Sequence, residues 1–282
     1  MDKDQKERYT KPWQDFMDKY EKLYWSPGKP TLKEKEIFKR FLKELKANDS
    51  KGLVLGATPA MREALAELDI EITLIDASQI IIDAMTRLIE HDRKETKIVG
   101  DWLNMPFKDS TFDFVLGDLV LGNLSGKNKQ NFLKEIKRVL KPTGYFIHRF
   151  FYIPDNWKPI PTEETFERFA KLDNPYDRSM EIFVHLLFDS YNKDKNEFDM
   201  KIVKEKLKKY WKDNKYQHEN KHIEGLLNRA YEMWKPLDKV WHAGTKKEVF
   251  GWIEKEFKII KQENDLDHMF GKWFPVVVCK PN

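Results

Sequence analysis

The chain has 282 residues, which is enough for one α/β domain with additions but short for two full domains. Hydrophobic residues make up 40% and charged residues 35%, so the chain can form a core, and a disordered chain is excluded. The 51 basic and 47 acidic residues give a net charge of +4 and are interleaved, which disfavours nucleic acid as a partner.

Several further features bear on location and on metal binding. No run of about 18 uncharged apolar residues predicts a transmembrane helix, and the N-terminus lacks the apolar segment of a signal peptide. The single cysteine, Cys279, excludes an internal disulfide and a cysteine-rich zinc site. His218 and His222 are four residues apart, but no third ligand is evident, so no metal site is predicted. We therefore expect a cytoplasmic protein with no membrane partner.

Residues 1–51 predict an N-terminal helical cap. Apolar residues at helical spacing indicate two amphipathic helices, and the segment 26–30, which contains two prolines and a glycine, separates them. We expect both apolar faces to pack on the rest of the molecule. They consist of Trp13, Phe16, Met17, Tyr20, Leu23 and Tyr24 in the first helix, and of Ile37, Phe38, Phe41, Leu42 and Leu45 in the second.

From Gly52 onward, short apolar strands alternate with amphipathic helices. This order predicts parallel strands with right-handed crossovers, and therefore a doubly wound, mostly parallel, seven-stranded Rossmann-like α/β sheet. The predicted strands are 52–56, 71–75, 96–99, 112–116, 145–151, 257–260 and 273–279. The predicted helices are 59–68, 78–90, 127–140 and 246–255.

Three details of this domain can be checked. Pro142, Thr143 and Gly144 predict a turn before the fifth strand, and Pro275 predicts that the last strand is bulged or lies near an edge. Residues 155–243 show a helical pattern with no clear strand, so we expect a helical insertion within a sheet domain formed by 52–154 and 244–282. With the N-terminal helices, this insertion would form a lid over the site.

Ligands of open α/β sheets bind beyond the carboxyl ends of the strands, so the residues there are the candidate site. Gly56 permits close approach of a ligand, and the next helix begins with free N–H groups. Asp76 follows Gly56 by 20 residues, the distance at which dinucleotide-type sites place a ribose-binding carboxylate. Asp101 can accept from the exocyclic amine of adenine while Trp102 covers the ring. Each residue also has a structural alternative. Gly56 can form a plain strand-to-helix turn, and Asp76 can cap a helix. Asp101 can cap a turn, and Trp102 can be a core residue.

Four segments together resemble the class I S-adenosylmethionine-dependent methyltransferases, and in particular a poorly characterised bacterial subgroup with LG-x-TP and GDW motifs. The last segment is the most specific, because it contains E-x-x-R-V-L-K-P-x-G before the fifth strand. The resemblance covers about 52–151 and 246–280 and implies S-adenosylmethionine as the cofactor. The segments are LVLGATP (53–59), ITLIDAS (72–78), IVGDWLNMPFKDSTFDFVLGDLVLGNL (98–124) and FLKEIKRVLKPTGYFIHRFF (132–151).

The resemblance also implies which residues hold the cofactor. The turn after the first strand would line its methionine end, the segment after the second strand would hold the ribose, and the segment after the third would flank adenine. The segment after the fourth strand would lie beside the methionine amine and the sulfonium. In that order, the implied residues are Gly56, Ala57 and Thr58; Asp76, Ala77 and Ser78; Asp101 and Trp102; Asp118 and Leu119.

The chain departs from the family pattern at the first strand. Val54 stands where the family has an acidic residue, and Thr58 and Ala60 occupy later glycine positions. The ammonium group of the cofactor therefore lacks one usual partner, and Asp118 or the N-terminal segment must replace it.

Methyl transfer from a sulfonium depends mainly on geometry, and a general base is needed only if the acceptor is protonated when it binds. His148, at the end of the fifth strand, is the candidate base, with a structural histidine as the alternative. Arg149 is the candidate for binding an acceptor carboxylate through a bidentate contact. Because side chains alternate along a strand, only one of the two can face a given side.

A small-molecule acceptor is favoured, because a covered site suits a small molecule better than a polymer. DNA amino-methyltransferases have Asn/Asp-Pro-Pro-Tyr/Phe after the fourth strand, whereas this chain has Gly-Asp-Leu-Val at 117–120. Aromatic residues of the lid segments are candidate acceptor contacts, with packing in the core as the favoured alternative for each residue taken singly. They are Tyr20, Tyr24 and Trp25, with Phe183, Phe188, Trp234 and Trp241 as further candidates.

Three alternatives stand beside this hypothesis. A protein or RNA methyltransferase is suggested by residues 193–221, which contain ten Lys against six Asp and Glu. A non-catalytic binding module is suggested by the altered glycine motif. A nicotinamide-dependent oxidoreductase would share Gly56 and Asp76 but would require a fuller glycine motif.

Overall fold

A computed structural model of the protein describes residues 26–170, 179–212 and 240–282. Its centre is a seven-stranded sheet with the strand order β3-β2-β1-β4-β5-β10-β9. The predicted doubly wound, mostly parallel α/β sheet is therefore confirmed. Its strands are β1 (Lys51–Leu55), β2 (Glu71–Asp76), β3 (Glu95–Val99), β4 (Phe112–Asp118), β5 (Leu140–Arg149), β9 (Phe257–Glu263) and β10 (Val276–Pro281).

The strand order reverses at β1, which pairs in parallel with both β2 and β4. β3 and β5 extend the parallel part on either side, and β10 then pairs antiparallel with β5 and β9. Consecutive crossovers on the two sides of β1 leave a crevice at the carboxyl ends of β1 and β4. Ligands of doubly wound sheets bind in such a crevice.

Helices cover both faces of the sheet. The first, α1, begins with a capping box in which Thr31 and Glu34 exchange hydrogen bonds, and α2 has Pro59 in its first turn. The helices are α1 (Leu32–Leu45), α2 (Pro59–Ala66), α3 (Gln79–Thr86), α4 (Gly126–Val139), α5 (Thr162–Ala170), α6 (Ser179–Asp189), α7 (Met200–Lys212) and α8 (Lys246–Ile253), with short 3₁₀ helices at Val120–Asn123 and Gly271–Trp273.

Alternation along the strands produces two cores. Val54, Leu74 and Phe114 pack with α1 and α2 on one face of the sheet, whereas Leu53 and Val115 pack with α4 and α8 on the other. All of these side chains are buried, so the strands are apolar on both faces, as parallel strands covered by helices must be.

The E-x-x-R part of the E-x-x-R-V-L-K-P-x-G segment has a structural role. Glu135 accepts a hydrogen bond from the Met105 backbone N–H at 2.7 Å. Arg138 pairs with Glu135 at 2.6 Å and donates to the carbonyl oxygens of Met105 and Phe107. These contacts hold the loop between β3 and β4, which carries part of the site described below.

Two predictions about the last strands of the sheet need correction. The predicted turn at 142–144 lies inside β5, where the register opposite β4 jumps from Leu140 to Tyr145. Pro142 cannot donate to the ladder, so the chain stays extended but irregular there. The predicted last strand starts after Pro275, not at Trp273, and β10 lies between two strands; its irregularity is a register shift at Val278 and Cys279.

The insertion was predicted to be helical, but it also contains short strands. A second sheet of three short antiparallel strands, β6 (Tyr191–Asn192), β7 (Glu197–Asp199) and β8 (Val240–His242), lies within it. These strands have two or three residues each, too few for period-2 alternation to be visible in the sequence. The predicted first helix, including Tyr20, Tyr24 and Trp25, lies outside the described residues, as does Trp234. Within the described ranges, no helix is long and apolar enough to cross a membrane.

Candidate functional site

A cavity of about 170 Å³ opens at the carboxyl ends of β1, β2, β3 and β4. Nine of the ten residues predicted to hold the cofactor line it; Ser78 does not. The lining residues that the sequence predicted are Gly56, Ala57, Thr58, Asp76, Ala77, Asp101, Trp102, Asp118 and Leu119.

The turn after β1 forms one wall of the cavity. Gly56 has a φ of +88°, a conformation that residues with a Cβ rarely adopt. Its N–H donates to the carbonyl oxygen of Ile75 at 2.8 Å, and the Trp102 indole N–H donates to the same oxygen at 2.9 Å. The end of β2 therefore fixes both the glycine turn and the indole ring. Thr58 occupies the N-cap position of α2, although its side chain makes no capping hydrogen bond.

Asp76 lies at the end of β2 and is nearly buried. One carboxylate oxygen accepts a hydrogen bond from the Ser78 backbone N–H at 2.9 Å, and Ser78 in turn caps α3 by accepting from the Ile81 N–H. Asp76 thus shapes the start of α3 and also borders the cavity, so the structural and the ligand-binding alternatives are compatible. The side chain of Ser78 is buried and does not line the cavity.

Asp101 and Trp102 follow β3. Asp101 accepts a hydrogen bond from the Leu103 N–H at 2.9 Å, as expected for a turn cap, and its side chain remains at the cavity wall. The Trp102 ring lies over Gly56, since a Cβ at that position would be 3.8 Å from the ring. Its other side packs near Phe132, with ring centroids 6.1 Å apart. One face of the cavity is therefore an aromatic wall beside a carboxylate.

Leu119 follows β4 in a strained conformation. Its φ of +53° lies in the left-handed region, which is unfavourable for a bulky non-glycine residue. The Leu119 N–H donates to the Arg149 carbonyl oxygen at 2.8 Å, and its own carbonyl accepts from Asn123 at 3.2 Å. These two hydrogen bonds hold Leu119 in the left-handed conformation. Backbone strain of this kind concentrates at binding sites.

Asp118 belongs to a buried cluster of charges. Arg149 donates to the two carboxylate oxygens of Asp118 at 2.7 and 3.2 Å, and to Glu34 of α1 at 2.9 Å. The side chains of Arg149 and Glu34 are fully buried, and that of Asp118 is 7% exposed. The prediction that Arg149 binds an acceptor carboxylate is therefore wrong, because the guanidinium group is already engaged by two carboxylates of the protein.

Burial and the central arginine shift the titration of this cluster. Burial raises the pKa of Asp118 above its usual value, although Arg149 opposes the shift. Burial also disfavours ionised Glu34, but Arg149, His268 and the Thr31 N–H together hold the pKa of Glu34 below its usual value. The two neighbouring carboxylates, in turn, keep Arg149 charged despite its burial.

His148 does not line the cavity. The ring is fully buried on the α4 face of the sheet, between Phe146, whose ring stacks on it at a centroid distance of 4.2 Å, and Phe150 at 5.0 Å. Burial lowers the pKa of His148 to about 3. The prediction that His148 faces the site as a general base is therefore wrong, because β5 directs it away from the cavity. The alternative of a structural histidine fits its position.

A second, smaller cavity adjoins the first. The two share Gly28, Leu119 and Trp241 in their walls. The remaining lining of the second cavity is apolar and comes from the segment before α1, the residues after β5, α6 and the segment before β10. These additional residues are Pro27, Phe151, Phe183, Val184, Leu187, Phe188 and Phe274. Phe183, Phe188 and Trp241 are buried and line this cavity, so they remain candidate acceptor contacts.

Other lining residues of the larger cavity were not predicted. Asn123 and Asn128 follow β4, and Ile81 and Met85 belong to α3. The sequence predicted a helix at the two α3 residues without assigning them to the site. Glu34, which is linked to the cavity through Arg149, was also missed, since 115 residues separate these two partners in sequence.

Comparison with known proteins concerns the domain that carries this cavity. A family model described as a methyltransferase domain matches residues 54–148, which run from β1 to β5 and include the lining residues of the larger cavity other than Gly28 and Trp241. The uncharacterised protein MJ0638 from Methanocaldococcus jannaschii is 35% identical over 101 residues, which are 36% of this chain and 42% of that protein. The chain thus spans less than half the length of the curated relatives that it matches.

Two solved structures share the fold over nearly the whole chain. The 1,6-didemethyltoxoflavin-N1-methyltransferase from Burkholderia thailandensis, solved with 1,6-didemethyltoxoflavin and S-adenosylhomocysteine, superimposes with a TM-score of 0.56 at 11% identity and covers 97% of this chain and 89% of its own. A protein described as a putative zinc-dependent alcohol dehydrogenase from Rhodobacter sphaeroides gives a TM-score of 0.60 at 14% identity, with 98% and 99% covered. Such low identities establish the fold alone.

The matched segment contains the glycine turn and the acidic residues at the ends of β2 and β4 and after β3, and it ends within β5. Residues 54–148 thus match a methyltransferase domain, and this match, together with the fold, supports a class I S-adenosylmethionine-dependent methyltransferase.

Proposed function

We propose that the protein transfers the methyl group of S-adenosylmethionine to a small-molecule acceptor. The observation that carries this proposal is the cavity at the carboxyl ends of β1–β4, whose walls combine a glycine turn, an aromatic ring and three carboxylates. A nucleoside with a cationic amino-acid extension matches such a lining in shape and charge.

The residues present fit the cofactor. Asp76, which lines the cavity, would accept hydrogen bonds from the ribose hydroxyls, and Asp101 with Trp102 would bind the adenine ring. The turn at Gly56–Thr58 permits close approach of the methionine portion. Asp118 would attract the positive charge of the amino group and of the sulfonium.

When bound, S-adenosylmethionine would supply a methyl group already activated by the sulfonium, and the thioether would be the leaving group. The protein's residues bind and align the two molecules, which can contribute roughly 7–11 kcal/mol to the lowering of the barrier. Leu119 lies in the wall that both cavities share, so it would separate the cofactor from the acceptor side and set their approach. With His148 directed to the other face of the sheet, we propose an acceptor that needs no deprotonation by this histidine.

The adjoining apolar cavity supports a small acceptor. Its described walls are aliphatic and aromatic, and they come from the insertion as well as the sheet domain. An apolar cavity of this kind binds an uncharged group better than a polynucleotide. Tyr20, Tyr24 and Trp25 remain proposed acceptor contacts, because Gly28, which follows them closely in sequence, borders both cavities. We also propose a cytoplasmic location.

Calorimetry with S-adenosylhomocysteine tests the cofactor part of the proposal. We expect saturable binding with one site per chain. No detectable heat at millimolar ligand would instead support a non-catalytic binding module.

Transfer of labelled methyl groups tests the acceptor part. With labelled S-adenosylmethionine, we expect the label to be transferred to small metabolites, and we expect the rate of transfer to depend little on salt. Transfer to RNA that falls steeply with salt would favour the alternative suggested by the Lys-rich residues 193–221, of which 213–221 lie outside the described residues.

A further inference from the structure

The buried cluster of Glu34, Arg149 and Asp118 carries more negative than positive charge. Two carboxylates share one guanidinium group, so the fully ionised cluster has a net charge of −1. Burying three charged groups is costly, and an unbalanced cluster is more costly still. A cation bound beside the cluster would offset that cost.

The cluster meets ligand space at only one of its members. Asp118 lines the larger cavity, whereas Glu34 and Arg149 lie behind it without reaching the described lining. Two hydrogen bonds from Arg149 fix the orientation of the Asp118 carboxylate. A hydrogen bond from Arg149 to Glu34 fixes the orientation of the guanidinium group. The negative charge is thereby fixed in position and presented to the cavity at the end of β4.

Other charged and aromatic groups lie around the cluster. His268 lies 3.9 Å from Glu34, and Asp265 accepts a hydrogen bond from Thr31 at the start of α1 while facing Lys33 at 3.6 Å. Phe274 lies under the Arg149 guanidinium group at 5.8 Å and adds no charge. Among the described residues, Arg149 is therefore the cationic group that contacts both carboxylates.

We propose that Glu34, Arg149 and Asp118 form a binding site for a primary ammonium group, and that Glu34 is a positioning residue which supplies the excess negative charge from the N-terminal helix. The site rests on the proposed function, since the ammonium group would be that of the methionine portion of the cofactor. It replaces the acidic residue that is absent at Val54, a buried apolar position in β1. Helix α1 is thus part of the cofactor site, as well as a covering element.

The variant Glu34→Gln removes the charge and keeps the shape. Glutamine can still accept in a capping box, so α1 retains its start. The matched control is Glu248→Gln, which makes the same change at the same position of the Thr245–Glu248 capping box of α8, away from the cavity lining. Thermal unfolding of both variants reports any loss of folding.

Two ligands separate a charge effect from a general loss of structure. S-adenosylhomocysteine carries the ammonium group, whereas 5′-methylthioadenosine has the same nucleoside and thioether without it. In calorimetry, Glu34→Gln should weaken S-adenosylhomocysteine by roughly tenfold and leave 5′-methylthioadenosine unchanged. Glu248→Gln should change neither, and Glu34→Asp, which restores the charge, should recover part of the loss.

The outcomes are distinguishable. Equal weakening of both ligands would overturn the proposal in favour of a purely structural role for Glu34, and so would unchanged binding of both. If Glu34→Gln does not fold, Asp118→Asn is measured with the same pair of ligands and must show the same selective loss. Failure of the wild-type protein to bind either ligand would refute the proposed function itself, which is a different result.

Discussion

His148 shows how the environment of one residue decides its chemistry. Its imidazole is neutral in the folded protein because burial between aromatic rings lowers its pKa to about 3, whereas the unfolded chain takes up a proton near pH 6.5. The unfolded state therefore binds more protons between these values, and the free energy of unfolding must decrease as the pH falls below about 6.5.

We predict that this histidine lowers the free energy of unfolding by about 2 kcal/mol between pH 8 and pH 5. His148→Phe preserves the ring stacking and removes the titration, so its urea denaturation should lack that component of the pH dependence. Identical pH dependence in the variant and the wild type would show that His148 is not buried in its neutral form.

Asp76 is the residue on which the position of the nucleoside depends. We predict that Asp76→Ala raises the dissociation constant of S-adenosylhomocysteine ten- to a hundredfold, because a hydrogen bond to a charged group contributes about 1.5–3 kcal/mol. Calorimetry measures the change. Asp83→Ala, on the exposed face of α3, is the control and should have no effect. An unchanged constant for Asp76→Ala would mean that the ribose lies elsewhere.

The sequence predicted which residues lie at the ends of the strands better than it predicted which groups those residues contact. Asp76, Asp101 and Asp118 were identified because each follows a strand, and strand ends are visible in the pattern of apolar residues. The roles of His148 and Arg149 depend on which face of β5 each occupies and on Glu34, which comes from a distant helix. Contacts of that kind are set by tertiary packing and leave no local signal in a single sequence.

At the scale of elements, a second buried ion pair joins α2 to β3. Arg62 is fully buried and donates to both carboxylate oxygens of Glu95, to Thr86 of α3 at 3.1 Å and to the Ala57 carbonyl oxygen at 3.4 Å. Since Ala57 lines the larger cavity, this pair connects the stability of two helices to the glycine turn of the site.

We predict that Arg62→Ala lowers the free energy of unfolding by about 3–5 kcal/mol, because it leaves the buried Glu95 carboxylate without its main partner. Urea denaturation measures the loss. The double variant Arg62→Met with Glu95→Leu removes both charges and should recover most of the stability. A loss below 1 kcal/mol in the single variant would contradict the burial of this pair.

Element order was predictable, whereas element ends and short strands were not. The strong apolar stripe of α4 and the β-branched run of β2 were enough to place both, and the parallel order followed from their alternation. The last strand and the fifth strand were displaced because proline and glycine near them permit either a turn or an irregular strand. The sheet of β6, β7 and β8 is held by partners up to 45 residues apart, as in the pairing of Glu197 with His242.

At the scale of the whole molecule, the site is assembled from three parts of the chain. The sheet domain provides the turn and the carboxylates, α1 provides Glu34, and β8 provides Trp241 at the junction of the two cavities. We propose that most cofactor contacts come from the sheet domain and that the insertion, which lines the smaller cavity with α6 and both cavities with Trp241, selects the acceptor.

A crystal structure of the protein with S-adenosylhomocysteine tests the central claim most directly. We predict that adenosine lies between Asp76, Asp101 and Trp102, with the ammonium group beside Asp118 and the sulfur facing the apolar cavity. A nucleoside bound at another place, or a cavity filled by the protein's own side chains in the presence of saturating ligand, would contradict it.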